Sequence, residues 1–156
     1  MSVATHSANS YLRTRVMTAS REELRLLLLE GAIKFVSQAK EGLLARNFEQ
    51  VFSGTDNARN IIVELITSVQ TAPNPELAEK VRSLYTFFYV RLTEASFEKS
   101  VEKFEEVIGL LDYERETWVM LMDKVASEKE GEDAGSVEEV PQHDIPGSNA
   151  PFSVEG

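Results

Sequence analysis

Two histidines and a scatter of carboxylates are the residues here that could do acid–base or metal chemistry, and their spacing does not support it. His6 and His143 lie near the two ends of the 156-residue chain. The Glu-x-x-His pairs of a di-iron helical bundle are therefore missing, as is the exposed helical histidine that a phosphotransfer bundle requires. The adjacent acids Glu22-Glu23 and Glu105-Glu106 diverge by ~100° on a helix, which makes a solvated face rather than a paired-carboxylate centre. Gly31 and Gly109 stand alone in helical surroundings, where close packing is the usual reason for glycine, and no glycine-rich phosphate loop occurs. With no cysteine in the chain, thiolate nucleophiles, disulfides and cysteine-ligated zinc are excluded. The sequence predicts no enzyme, no metal and no cofactor.

What remains is apolar chemistry, and there is too much of it for one core. From Leu24 to Val36 nine of thirteen residues are apolar, against the roughly three in seven that a bundle helix needs on its inner face. Between Leu84 and Leu92 the excess recurs in Leu84, Tyr85, Phe87, Phe88, Tyr89, Val90 and Leu92, seven of nine. These side chains either fill one thick aromatic core or leave a surplus outside. Every helix of a four-helix bundle has an outward face, so the sequence favours the surplus, and a contiguous apolar surface on a soluble chain marks a protein interface. An arm containing Tyr11, Leu12, Val16 and Met17 precedes the first such run. It reads either as a strap that tacks onto the bundle for stability or as an occupant of the apolar groove that leaves when a partner binds.

The elements that must position these residues are helical. No segment sustains period-2 alternation, and four segments show helical spacing with start and stop signals. Ser20 followed by Glu23 fits a capping box and starts the first helix, which runs to about Arg46. Asn47-Phe48 connects to a second helix ending near Thr71; the run Ser53-Gly54-Thr55-Asp56-Asn57 within it is a poor helical sequence and is expected to bend or fray. Asn74 as N-cap and Pro75 at the first helical position start a third helix, to about Ala95. After Ser96-Phe97 a fourth runs to about Glu128, with a seam at Val101, Phe104, Ile108, Leu111, Arg115, Trp118, Met122 and Val125. Arg115 on that seam is expected to reach a carboxylate on a neighbouring helix. The predicted fold is all-α, an antiparallel four-helix bundle (20–128) with an N-terminal arm (1–19) and a disordered acidic tail (129–156).

Charge and hydropathy bound the partners. A formal charge of −10 with no basic patch disfavours nucleic acid and anionic lipid. Residues 129–156 contribute much of it, Lys129 against seven acids, or 1 − 7 = −6. No apolar run approaches the ~18 residues of a membrane span, and the first 19 residues lack the layout of a cleaved signal. The expectation is a cytoplasmic protein with no membrane insertion.

Read in order, these words resemble the FliS family of flagellin-specific export chaperones over about residues 8–128. The arm and cap supply Tyr11 and Val16-x-Thr18-Ala19-Ser20, followed by Leu24, Leu27, Leu28 and Gly31-Ala32-Ile33-x-Phe35. Ala58-x-x-Ile61-Ile62-x-Glu64-Leu65 follows, then Leu84-Tyr85-x-x-x-Tyr89-x-Arg91-Leu92-x-Glu94-Ala95, then Glu106-Val107-x-Gly109-Leu110-Leu111 and Arg115-x-Thr117-Trp118. The chain departs from the family pattern at Arg21, where proline is common, at Leu29-Glu30, where Tyr-Asp is usual, and at Ser96, where asparagine often stands.

The resemblance implies a non-catalytic bundle that binds the disordered C-terminal segment of flagellin in the cytoplasm, prevents premature polymerisation and delivers it to the type III flagellar export gate. It also implies that the segment becomes helical in apolar grooves, and that the arm lies over part of that surface when it is empty. The partner-binding set expected on these grounds is Tyr11, Leu12, Val16, Met17, Leu27, Ile61, Leu65, Tyr85, Phe87, Tyr89 and Trp118, on a monomer or weak homodimer. The alternative is a non-catalytic helical adaptor or scaffold that uses the same apolar face to homodimerise.

Overall fold

A computed structural model describes the backbone of residues 3–69 and 74–149, and the side chains of 9–69 and 74–132. Among the described residues the chain is all-helical with no strand: α1 (Val3–Thr18), α2 (Arg21–Leu44), α3 (Phe48–Val69), α4 (Pro75–Glu98) and α5 (Val101–Asn149). It divides into two units, residues 1–118 and 119–156.

In the first unit α2 and α4 start where the sequence announces, while α4 runs on to Glu98 and α5 starts at Val101, past the expected break at Ser96-Phe97. The amide of Glu23 donates to Ser20 Oγ at 3.2 Å. Asn74 Oδ1 accepts from the amides of Glu76 and Leu77 at 3.1 and 3.2 Å, with Pro75 next in line. Asn47 and Ser100 do the same for α3 and α5, accepting from Gln50 and Lys103. The two short turns close alike. Arg46 and Lys99 sit in the left-handed region at φ 56° and 53°, and the next amide reaches back five residues, Asn47 to the Gly42 carbonyl at 2.7 Å and Ser100 to that of Ala95 at 3.0 Å. Glycine is the usual occupant of such a position, and here two cations complement the helix C-terminal dipole instead.

These turns send each helix back along its predecessor. Gln50 Nε2 donates to the Gln38 carbonyl at 2.9 Å, while twenty-odd Å away Arg25 reaches Ser68 Oγ at 3.4 Å, so α2 and α3 run antiparallel. Lys103–Glu98 (2.7 Å), Arg91–Glu106 (2.8 Å) and Tyr85–Glu114 (3.0 Å) make the same ladder for α4 and α5. One core joins them, with stripes spaced by three, four or seven residues: Leu29, Ala32, Val36 and Ala39; Val51, Ala58, Ile62, Leu65 and Val69; Ala78, Tyr85, Phe88, Leu92 and Ala95; Phe104, Val107 and Leu111.

Several expectations are corrected. The arm is a helix, α1, rather than a strap in a groove, and every described side chain from Asn9 to Thr18 is exposed. Its apolar residues are interleaved with Arg, Thr and Ser. Gly54 lies inside an unbroken α3: it is the point where that helix presses on α2, a Cβ there falling 2.7 Å from the Phe35 carbonyl oxygen and 2.8 Å from the Ala39 nitrogen. Arg115 pairs within its own helix, Nε to Asp112 Oδ1 at 3.2 Å, its side chain partly exposed and one turn from that carboxylate. In the second unit α5 continues as helix to Asn149, past the expected stop at Glu128, with all side chains from Asp123 to Glu132 exposed.

Candidate partner-binding surface

The expected partner residues sort into four groups. Tyr11, Leu12, Val16 and Met17 stand on α1 at 46–76% exposure. Leu65 and Tyr85 are fully buried and belong to the core, which corrects their assignment to a surface. The reason is register: Leu65 continues the Ala58-Ile62 stripe, and Tyr85 continues Ala78 toward Phe88, so a helix that buries its neighbours buries them too.

Tyr85 is a core ring with a hydroxyl tip, and that tip finds a partner at the edge of the core. Burial pushes that hydroxyl's pKa up, with the charge of Glu114 adding to it, so it stays protonated and donates to Glu114 Oε1 at 3.0 Å. The ring is thereby sealed inside while its polar tip meets a half-exposed carboxylate at the α4–α5 boundary.

Phe87 and Tyr89 flank α4 on opposite sides, since residues two apart are ~200° apart on a helix. Phe87, 45% exposed, faces α5: Arg91 lies 5.7 Å over its ring and bonds Glu106. Tyr89 faces α3, where the Arg59 guanidinium sits 5.9 Å over the ring and also bonds Asp56 and Thr93. Each ring thus carries a cation held in place by acids, an apolar surface with a charged border.

Ile61, half-buried, turns to α2, its Cδ1 3.2 Å from where a Gly31 Cβ would be. Leu27 is half-buried on α2. Trp118 closes the remaining seam: its Nε1–H donates to the Glu22 carbonyl at 2.9 Å, and Arg25 stacks 4.8 Å from its ring. The structure therefore brings Tyr89 to α3 and Trp118 to the first turn of α2, but gathers the set into no single trough.

A second apolar cluster escaped the sequence reading. Leu44, Phe48, Phe52 and Phe97 are 46–85% exposed at the two turns, beside a dent of about 210 Å³ lined by Phe48, Val51, Phe52, Ser96 and Lys99. Lys99 Nζ lies 5.7 Å from the Phe48 ring. The available signal was a phenylalanine in each of two connections where turn chemistry asks for polar residues. Among the described residues no group of His, Asp and Glu could hold a metal, and no helix is long and apolar enough to cross a membrane.

Known proteins give this surface its context. Residues 4–125 match the profile of the family described as flagellar protein FliS. The flagellar secretion chaperone FliS of Bacillus subtilis is 27% identical over 122 residues, which cover 78% of this chain and 90% of that protein. The flagellar secretion chaperone FliS of Campylobacter jejuni is 26% identical over 110 residues, 70% of this chain and 86% of that protein. The profile takes in the arm, all the residues placed above and α5 as far as residue 125, so the chain belongs to the FliS family of flagellar proteins.

Proposed function

We propose that this protein is a cytoplasmic flagellar export chaperone that binds the disordered C-terminal segment of flagellin, prevents its premature polymerisation and delivers it to the type III export apparatus. The working part is a four-helix bundle formed by α2 to α5, with α1 as a free arm. Family membership carries the reading, and the name shared by both relatives supports it. The distribution of apolar side chains agrees with it: Leu27, Ile61, Phe87, Tyr89 and Trp118 mark different seams, as a long client laid around the bundle requires, and α1 offers Tyr11, Leu12, Val16 and Met17 to the same client.

Such a chaperone hides an aggregation-prone segment while leaving it releasable. Apolar burial at ~25 cal/mol per Å² drives binding, and ordering the client subtracts several kcal/mol, so tight capture stays reversible. The cation-capped rings add polar rims that fix register without adding much affinity.

Calorimetry with a synthetic peptide of the cognate flagellin C-terminal segment tests this. The expected result is stoichiometric binding with a negative heat-capacity change, weakened roughly tenfold or more by Phe87→Glu. Because Phe87 is already half-exposed, the melting temperature of that variant should barely move. Absence of binding by the folded wild-type chain would end the proposal.

A further inference from the structure

Four apolar side chains stand out of the fold around its two short turns, and the core uses none of them. Leu44 closes α2, Phe48 opens α3, Phe52 follows one turn later and Phe97 stands in the last turn of α4, at 63%, 46%, 67% and 85% exposure. The three phenylalanines gather between α3 and α4. Phe48 and Phe52, four residues apart, share one flank of α3, and with Val51 they line the dent of about 210 Å³ that Ser96 and Lys99 close from α4. Phe97 lies one turn beyond Thr93, whose hydroxyl accepts from Arg59 of α3 at 3.5 Å, so it stands on the flank of α4 that meets α3. A patch of this kind marks a docking surface.

Charge and volume say what docks there. Of the five residues that line the dent, Lys99 alone is charged. Among the described residues no carboxylate lies within ion-pair distance of it, whereas Arg59, Arg91 and Lys103 each hold one or two. The acids nearest in sequence do not serve it. Glu98 pairs with Lys103 at 2.7 Å, and Glu49 lies ~100° further round α3 than Phe48 and takes no part in the lining. An apolar cavity of about 150 Å³ accepts a benzene ring, so the dent has room for one large apolar side chain. A second copy set face to face on the same patch would bring Lys99 against Lys99 about the two-fold axis. A small carboxylic acid would leave most of Phe52 and Phe97 in water.

We propose that this end of the protein docks an acidic segment of a partner protein, with one aromatic or leucine side chain in the dent against Phe48 and Phe52 and a neighbouring carboxylate on Lys99. The Lys99 ammonium already lies 5.7 Å from the Phe48 ring. The ring holds the cation at the rim, and an arriving carboxylate meets it without displacing a resident acid. Phe97 and the outer face of Phe52 cover the residues on either side of the anchor. The inference does not rest on the chaperone reading, because Phe48, Phe52, Phe97 and Lys99 lie outside the residues assigned to the flagellin client.

The test is titration of the full-length, nitrogen-15-labelled chain with the peptide Ac-Asp-Phe-Asp-Leu amide and, in parallel, with Ac-Lys-Phe-Lys-Leu amide, which offers the same apolar groups under the opposite charge. The acidic peptide should shift the amides of Phe48, Val51, Phe52, Ser96 and Lys99 while those of Phe87 and Trp118 stay in place. It should bind roughly fivefold or more tightly than the basic one, as expected when an exposed ion pair is exchanged for a repulsion, although the net charge of −10 works in the other direction. Lys99→Gln should erase that preference and Lys99→Glu should invert it, whereas Phe52→Ser and Phe97→Ser should weaken both peptides alike. All three positions are exposed, and circular dichroism of each variant checks that the helices are intact. No shift at the dent, equal binding of the two peptides, or a preference that survives Lys99→Gln would each overturn the inference.

Discussion

Substituting alanine for glycine at two helical positions should move stability in opposite directions. Inside a helix the exchange is worth ~1 kcal/mol in favour of alanine when nothing else changes. At Gly54 much else changes: the added Cβ would lie 2.7 Å from the Phe35 carbonyl oxygen, 2.8 Å from the Ala39 nitrogen and 3.1 Å from its Cα, all backbone atoms that cannot swing aside. The helices must separate by several tenths of an ångström along a seam lined with Ala32, Ala39 and Ala58. Overpacking of this kind costs ~1–3 kcal/mol, and loosening the neighbouring contacts adds to it. A net loss of about 1–2 kcal/mol follows, or about 3–6 °C in Tm for a chain of this size. Gly109 meets nothing within 4 Å, so there the gain should survive at about 0.5–1 kcal/mol. Urea denaturation followed by circular dichroism measures both, with the midpoint shifting at constant slope. The sites lie on different helix pairs, so the double variant should be additive. A Gly54→Ala protein as stable as wild type would refute the close approach of α2 and α3.

Tyr85→Phe should lose about 1–2 kcal/mol at neutral pH by removing a hydrogen bond to a charged acceptor. It should also flatten part of the alkaline unfolding. The folded-state pKa of Tyr85 lies above its unfolded value near 10, so its contribution is complete below pH 10 and is lost as pH rises beyond it, by up to about 1.4 kcal/mol per unit; denaturation at pH 9 and 11, wild type against variant, checks the sign. Thr55 is 2% exposed and its hydroxyl has no partner among the described residues, so Thr55→Val should stabilise by about 1 kcal/mol, seen as a higher urea midpoint. Deleting residues 1–17 should weaken binding of the flagellin peptide, because the arm covers no part of the bundle and offers its apolar side chains outward; calorimetry showing tighter binding would mean that the arm competes with the client.

Helix boundaries were legible where local chemistry decides them: Ser20 and the Asn74-Pro75 pair act through bonds spanning two or three residues, whereas the break before α5 was expected at Ser96-Phe97 and falls at Lys99-Ser100, where Ser100 caps the helix. The functional surface was less so, because a stripe's direction is set by what packs on it. Tyr85 and Phe87 are both aromatic residues of one crowded run, and only the placement of α5 decides that the first is sealed and the second wet. Gly54 shows the same limit from the other side. Propensity alone marks it as a weak point of a helix, whereas a neighbouring backbone pressed against it makes it a requirement. Arg115 was expected to reach across to a neighbouring helix, and it instead takes the carboxylate of Asp112 three residues away on its own.

The seam of small residues between α2 and α3 has a mechanical consequence. Two backbones in near contact share few side-chain degrees of freedom, whereas α4 and α5 meet through Tyr85, Phe88 and Phe104, large rings whose tilts can adjust. Strain imposed by any cargo should fall on the ring-filled half and spare the other. Amide protons of Val36, Ala39 and Ala58 should then be the slowest in the molecule to exchange with deuterium, and those of α4 should be the ones whose exchange slows most upon loading.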